Sequence, residues 1–249
     1  MVDVCREPET IVDLGCGPGH LSAVLRRNWP HAEIVGVDSS PAMIEQARRR
    51  GGGDDGCEKV TYERADLAVW DPGRPIDLVV SNAALQWVPN QQQVLLRLRG
   101  ILAPGGTLAF SVPCNVAEPS HVLLRDLAGR APYATYADGL SRRFDIGEQG
   151  YLDLLAGPGW RLDVWRTTYL HVLQGADPVF DWIAGTGAMP VLQALPDDLR
   201  ERFAGEYSAA LREAYPARRY GTVLPFPRVF VVATREYDAT LTAEEMPTA

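Results

Sequence analysis

Over the first half of the chain, short apolar runs alternate with amphipathic stretches at a spacing that predicts strands and helices in turn. Ile11-Val12-Asp13-Leu14 reads as a buried strand. It runs into the turn Gly15-Cys16-Gly17-Pro18-Gly19 and then a helix that ends at Asn28-Trp29-Pro30. Glu33–Asp38 is a second strand ending in a carboxylate. Ser39-Ser40-Pro41 has the form of an N-cap with proline in the first turn, opening a helix to about Arg50. Gly51–Gly56 reads as a loop. Strands follow at Val60–Ala65, at the almost wholly apolar Ile76–Ser81, and at Thr107–Val112. A helix over Gln92–Leu102, closed by Pro104-Gly105-Gly106, precedes the last of these.

Strands alternating with helices imply a doubly wound, mostly parallel sheet, which binds ligands beyond the carboxyl ends of its strands. The glycine turn, Asp38, Asp66 and Ser81-Asn82 each follow a strand and are expected on one rim. From Asn115 to about Gly150 the alternation breaks, and a helical insertion over that rim is expected. Trp160–Leu173 alternates as a long strand, Pro178–Leu195 and Pro196–Tyr215 read as two helices, and Arg228–Thr234 is the last strand. The two late strands are expected to form an antiparallel edge. The organisation expected is one domain over 1–237. It has a core at 11–112, covering segments at 115–159 and 174–227, and a flexible tail at 238–249.

Composition narrows the partners. A net charge of −8 opposes a nucleic-acid surface. Lys59 is the only lysine among 24 basic residues, a bias that reads as base composition. Cys5, Cys16, Cys57 and Cys114 show no metal-ligand or disulfide spacing, which fits a reducing, cytoplasmic setting. No apolar run suggests a signal peptide or membrane span, so neither nucleic acid, membrane nor metal is expected.

The glycine turn sharpens the chemistry. A dinucleotide fingerprint needs glycine at its sixth position, where this chain has His20, with Gly19 at the fifth. That fits a nucleoside carried without a pyrophosphate. Asp38, at the end of the next strand, has the place of a carboxylate that accepts both ribose hydroxyls. Asp66, after the third strand, suits an exocyclic amino group, with the Leu67 N–H donating to a ring nitrogen.

In order, VDLGCGPG, GVD, RADL, SNAALQWVP and LAPGGTLAFSVP resemble the motifs of class I S-adenosylmethionine-dependent methyltransferases. The resemblance implies a seven-stranded, Rossmann-like sheet and S-adenosyl-L-methionine as cofactor. The residues it implies at the cofactor are Asp13, Gly15, Gly17, Gly19, Asp38, Ser39, Asp66, Leu67 and Asn82. SNAALQWVPN, Pro119-Ser120-His121, TTYLHVL and PFPRVFVVA resemble more closely the trans-aconitate 2-methyltransferase family. Members usually carry a helical segment before the glycine strand, and the ten residues ahead of Ile11 lead to the expectation that it is lacking here.

That family implies esterification of one carboxylate of a small polycarboxylate. Carboxylates are ionised at neutral pH, so no general base is expected. Gln86 and Trp87 are expected to position the acceptor. His121, Arg125, Tyr133, Tyr169, His171 and Arg228 are expected to hold the remaining carboxylates. Methylation of another small carboxylic acid, an NAD-dependent oxidoreductase and a non-catalytic cofactor-binding protein are the alternatives. The chain is expected to act as a monomer or homodimer.

Overall fold

In the computed structural model, which describes residues 7–51, 60–137, 139–140 and 146–237, the apolar runs become a seven-stranded sheet. The expectations for 51–56 and for the tail at 238–249 fall wholly or largely outside the described residues. The strands are β1 (Thr10–Leu14), β2 (Glu33–Asp38), β3 (Val60–Arg64), β4 (Ile76–Asn82), β5 (Leu102–Pro113), β6 (Trp160–Leu173) and β7 (Thr222–Arg235). Their order is β3-β2-β1-β4-β5-β7-β6. The first five pair with one another in parallel, Ile11 facing both Ile34 and Leu78. Thr107 Oγ1 lies 3.1 Å from Thr234 Oγ1, whereas the Cys114 N–H donates to Pro227 O, so β7 runs antiparallel to β5. This is the mostly parallel, doubly wound sheet that the alternating pattern predicted.

The chain folds as two compact units, residues 1–112, 147–166 and 229–249, and residues 113–146 and 167–228. In the first unit, α1 (His20–Asn28) and α2 (Pro41–Gly51) pack on β1–β3 through Leu25, Ile44 and Ala47 against Ile11, Ile34, Val60 and Tyr62. The expected cap of α2 forms: Ser40 Oγ accepts the Met43 N–H at 3.4 Å. Arg26, almost fully buried in α1, donates through Nη1 to the Pro30 and Ala32 carbonyls at 3.0 and 2.8 Å, which closes the turn into β2.

Helix α3 (Gln91–Gly100) ends two residues before its expected limit, because Leu102 already pairs with Ile76. Pro104-Gly105-Gly106 is therefore a bulge inside β5, shifting the register so that Leu78 faces Thr107.

The second unit has its own core. Leu124 and Ala128 of α4 (Pro119–Ala128) pack with Phe203, Tyr207 and Leu211 of α9 (Asp197–Ala214). Two phenols fasten the start of α4: Tyr207 donates to Ser120 O at 2.6 Å, and Tyr215 accepts the Ser120 N–H at 3.0 Å. A short helix, α5 (Ala134–Ala137), follows α4. Residues 147–159, expected to be part of the covering segment, belong instead to the first unit. There Tyr151 of α6 (Gly147–Leu155) meets Phe110 edge-on at 5.2 Å and Gln91 at 3.1 Å.

The single helix expected over 178–195 is two, α7 (Pro178–Ala184) and α8 (Met189–Ala194). Pro190 has no N–H to donate back to residue 186, and any Cβ at Gly187 would lie 3.2 Å from His121 Nε2. Strand β7 starts earlier than Arg228, at Thr222, despite Pro225 and Pro227.

Candidate active site

A cavity of about 770 Å³ opens beyond the carboxyl ends of β1–β4, where the open-sheet rule puts it. It lies wholly within the first unit. Gly15 and Cys16 donate their N–H groups to Val37 O at 2.7 and 3.0 Å, so β2 holds the start of the glycine turn. The Gly17 N–H donates to Asp38 Oδ2 at 2.9 Å, and Asp38 Oδ1 accepts the Ser40 N–H at 2.8 Å. Asp38 thus ties the turn to the start of α2 while lining the cavity. The N–H groups of Gly15, Cys16 and Gly17 are used internally. Charge and shape, more than free amides, are what this turn offers a ligand.

Two glycines explain the shape. At Gly15, φ is +77° and an added Cβ would come within 2.1 Å of Ala84 Cβ. At Gly17, φ is +53° and the same Cβ would meet nothing within 4 Å, because it would stand in the cavity. Gly19 does not line the cavity. It opens α1 at φ +79°, with Tyr62 Oη 2.6 Å from where a Cβ would be.

Asp13, Asp38 and Asp66 all line the cavity, and among the described residues neither lysine nor arginine does. Asp13 is 1% exposed and accepts the Ser22 hydroxyl at 2.6 Å. Burial pushes its carboxyl up from 3.8 to about 6; the Ser22 hydrogen bonds oppose this and the nearby Asp38 charge adds to it. The Cys16 thiol is also pushed up, first by burial and then by Asp13 and Asp38, so it stays protonated. Such an acidic cavity suits a cationic ligand with hydroxyl groups and repels a pyrophosphate. That disfavours the NAD reading.

Ser39, Leu67 and Asn82 line the same cavity. Trp87 does too, and is 52% exposed at its edge. Gln86, expected beside it, does not. Its Nε2 donates to Ala83 O at 2.8 Å, folding the side chain back on its own turn. Met43, Ala83, Ala84, Val88 and Pro89 complete the apolar wall. Their neighbours in sequence were the only signal for them.

The residues expected to hold the acceptor's carboxylates belong to the second unit. Arg125 Nη1 donates to Val116 O at 2.6 Å, and His121 Nδ1 lies 3.2 Å from Ser120 Oγ. Tyr133 is instead a core side chain, 1% exposed and edge-on to Phe203 at 5.0 Å. Burial, then Glu206, raises its phenol. Tyr169 and His171 do come together, stacked at 6.3 Å. Trp182 and Phe226, missed from the sequence, surround His171 at 4.7 and 5.7 Å. Arg228 is half-buried, and desolvation lowers its pKa against an opposing pull from Tyr169.

Residues 12–108 match the family described as a methyltransferase domain. A trans-aconitate 2-methyltransferase of Streptomyces avermitilis is 48% identical over 233 residues, spanning 93% of this chain and 87% of that protein. The chain belongs to the trans-aconitate 2-methyltransferase family. Another member, from Mycobacterium tuberculosis, is 44% identical over 90% of this chain and 84% of its own length. Among solved structures, the YcgJ protein of Bacillus subtilis superposes with a TM-score of 0.57 at 14% identity, covering 94% of each chain. A putative methyltransferase from Bacillus halodurans gives 0.56 at 15% identity, covering 93% of this chain and 94% of its own. Both share the family's fold.

Proposed function

We propose that this enzyme transfers the methyl group of S-adenosylmethionine to one carboxylate of trans-aconitate, giving a monomethyl ester. The observation that carries the reading is identity of 42–48% to proteins of that named activity over 92–94% of this chain. The cavity's three carboxylates and its open face at Gly17 fit the cofactor. When bound, S-adenosylmethionine supplies an electrophilic methyl group on a positively charged sulfur.

The chain's own residues bind and orient. Asp38 accepts from the ribose hydroxyls, since each of its oxygens has capacity beyond its one backbone bond. Asp66 and Leu67 take the base, and Asp13 offers a buried negative charge to the cationic part. Ser39, Asn82 and the glycine turn complete the pocket.

The acceptor carboxylate is already ionised, with a reference value near 4, so no side chain need remove a proton. Alignment of the reacting atoms is the main contribution. An anion meets a cation and charge disappears in the transition state. A tight ion pair at the reacting carboxylate would favour the ground state and slow the step. Arginines therefore belong on the non-reacting carboxylates, a role assigned to Arg228 and Arg125 with His121, Tyr169 and His171. Trp87 Nε1–H, a neutral donor, suits the reacting one.

The test is methyl transfer over a panel of di- and tricarboxylates with ester formation read by mass spectrometry. Trans-aconitate is expected to give the highest kcat/KM. Cofactor binding without ester from any acid would overturn the reading.

A further inference from the structure

The cavity wall formed by the turn after β3 is held from outside the cavity. Arg97 of α3 is partly buried and does not line that wall. Its Nη2 donates to the Leu67 carbonyl oxygen at 2.8 Å, and its Nη1 donates to the Ala68 carbonyl oxygen. Asp66 Oδ1 accepts the Ala68 N–H at 2.9 Å. One peptide unit, Leu67–Ala68, is therefore gripped at both ends, its carbonyl by a cation and its N–H by the carboxylate of Asp66. The Asp66 carbonyl oxygen closes the turn by accepting the Val69 and Trp70 N–H groups at 3.1 and 2.9 Å.

A cation bound to the carbonyl end of an amide strengthens the donor at its other end. The guanidinium fork also reaches two successive carbonyls with fixed geometry, which a lysine cannot do. Oδ1 of Asp66 is thus committed to the turn, and Oδ2 remains as an acceptor for the ligand. We propose that Arg97 is a positioning residue that sets which nucleobase the cavity accepts. It locks the Leu67–Ala68 peptide so that Asp66 receives an exocyclic amino group. A base with an oxo group there is rejected, because two acceptors would face each other. The inference rests on the cofactor reading above and goes beyond it by assigning base selectivity to a residue that touches no ligand.

The experiment is calorimetric titration of the full chain with S-adenosylhomocysteine and with S-inosylhomocysteine, which differ at the base edge facing this turn: a 6-amino group beside an unprotonated N1 in one, a 6-oxo group beside an N1–H in the other. The wild type is expected to prefer the adenosyl compound by about tenfold or more, the scale of a lost hydrogen bond to a charged group. Arg97→Met is expected to bring the preference below about threefold, with Arg97→Lys between the two. In the double variant with Asp66→Asn, adenosyl affinity falls no further than in the weaker single variant, since the residues act as one unit. A merely structural Arg97 would weaken both ligands by the same factor and leave the preference at its wild-type value, and that result overturns the proposal. Should Arg97→Met fail to fold, Arg97→Lys decides alone: an unchanged preference overturns the proposal equally. Wild-type protein that binds neither ligand refutes the cofactor reading itself, an outcome distinct from retained binding with retained preference.

Discussion

Asp13→Asn should make the protein more stable and less able to bind its cofactor. Asp13 sits at the end of β1, 1% exposed, with its carboxyl pushed from 3.8 to about 6 mainly by burial. A carboxyl so shifted costs the ionised native state about 3 kcal/mol at pH 7. The sign follows from proton binding. Between pH 3.8 and about 6 the native state binds more protons than the unfolded chain, so this group's contribution is fully present below pH 3.8. It is lost as pH rises through about 6. Asparagine removes the buried charge and keeps an oxygen to accept the Ser22 hydroxyl. The expected gain at pH 7 is about 1–3 kcal/mol, roughly 2–9 °C in Tm for a chain of this length. Denaturant unfolding of both proteins at pH 4, 5, 6 and 7 measures it. The gap should widen from pH 4 through pH 6 and flatten towards pH 7 and above. Calorimetry should show cofactor affinity reduced in the variant, and in the wild type declining as pH falls through about 6. A variant less stable than wild type at pH 7, or a gap equal at pH 4 and pH 7, would refute the assignment of a buried, strained charge.

Two further comparisons separate folding from binding. Gly15→Ala forces a Cβ to within 2.1 Å of Ala84, so circular dichroism should show a protein that folds poorly or not at all. Gly17→Ala meets no protein atom, and should fold at a cost of about 1 kcal/mol for its positive φ yet bind cofactor poorly. Wild-type affinity in Gly17→Ala would remove this face from the binding site. Arg228→Met and Arg125→Ala should each raise KM for the polycarboxylate about tenfold or more and leave cofactor affinity within about twofold. Unchanged KM across the acid panel would reassign Arg228 to packing, and would leave Arg125 only its bond to the Val116 carbonyl.

The cofactor half of the molecule was legible in the sequence because its rules are local. A buried strand, a glycine turn, a helix and then a carboxylate at the next strand end follow one another within about thirty residues, and each limits the next. Departures arose where a side-chain contact, near or far along the chain, decides. Gln86 carries the right chemistry for a site, but a backbone carbonyl three residues away claims it. Gly19 fits the motif and serves the contact with Tyr62. In the second half, tyrosine, histidine and arginine suit a substrate site and a core equally. Tyr133 went to the core because Phe203, seventy residues later, closes over its ring. Pro190 and the glycines at 185 and 187 mark the break between α7 and α8 in a stretch that reads as one helix.

The contact between Gly15 and Ala84 has a consequence for affinity. The turn after β1 and the turn after β4 touch through a methyl group that fills the space a side chain at residue 15 would need. The separation of the two walls is therefore fixed by hard contact within the folded protein. An arriving nucleoside finds that dimension already set, and none of its interaction energy is diverted into drawing these two turns together.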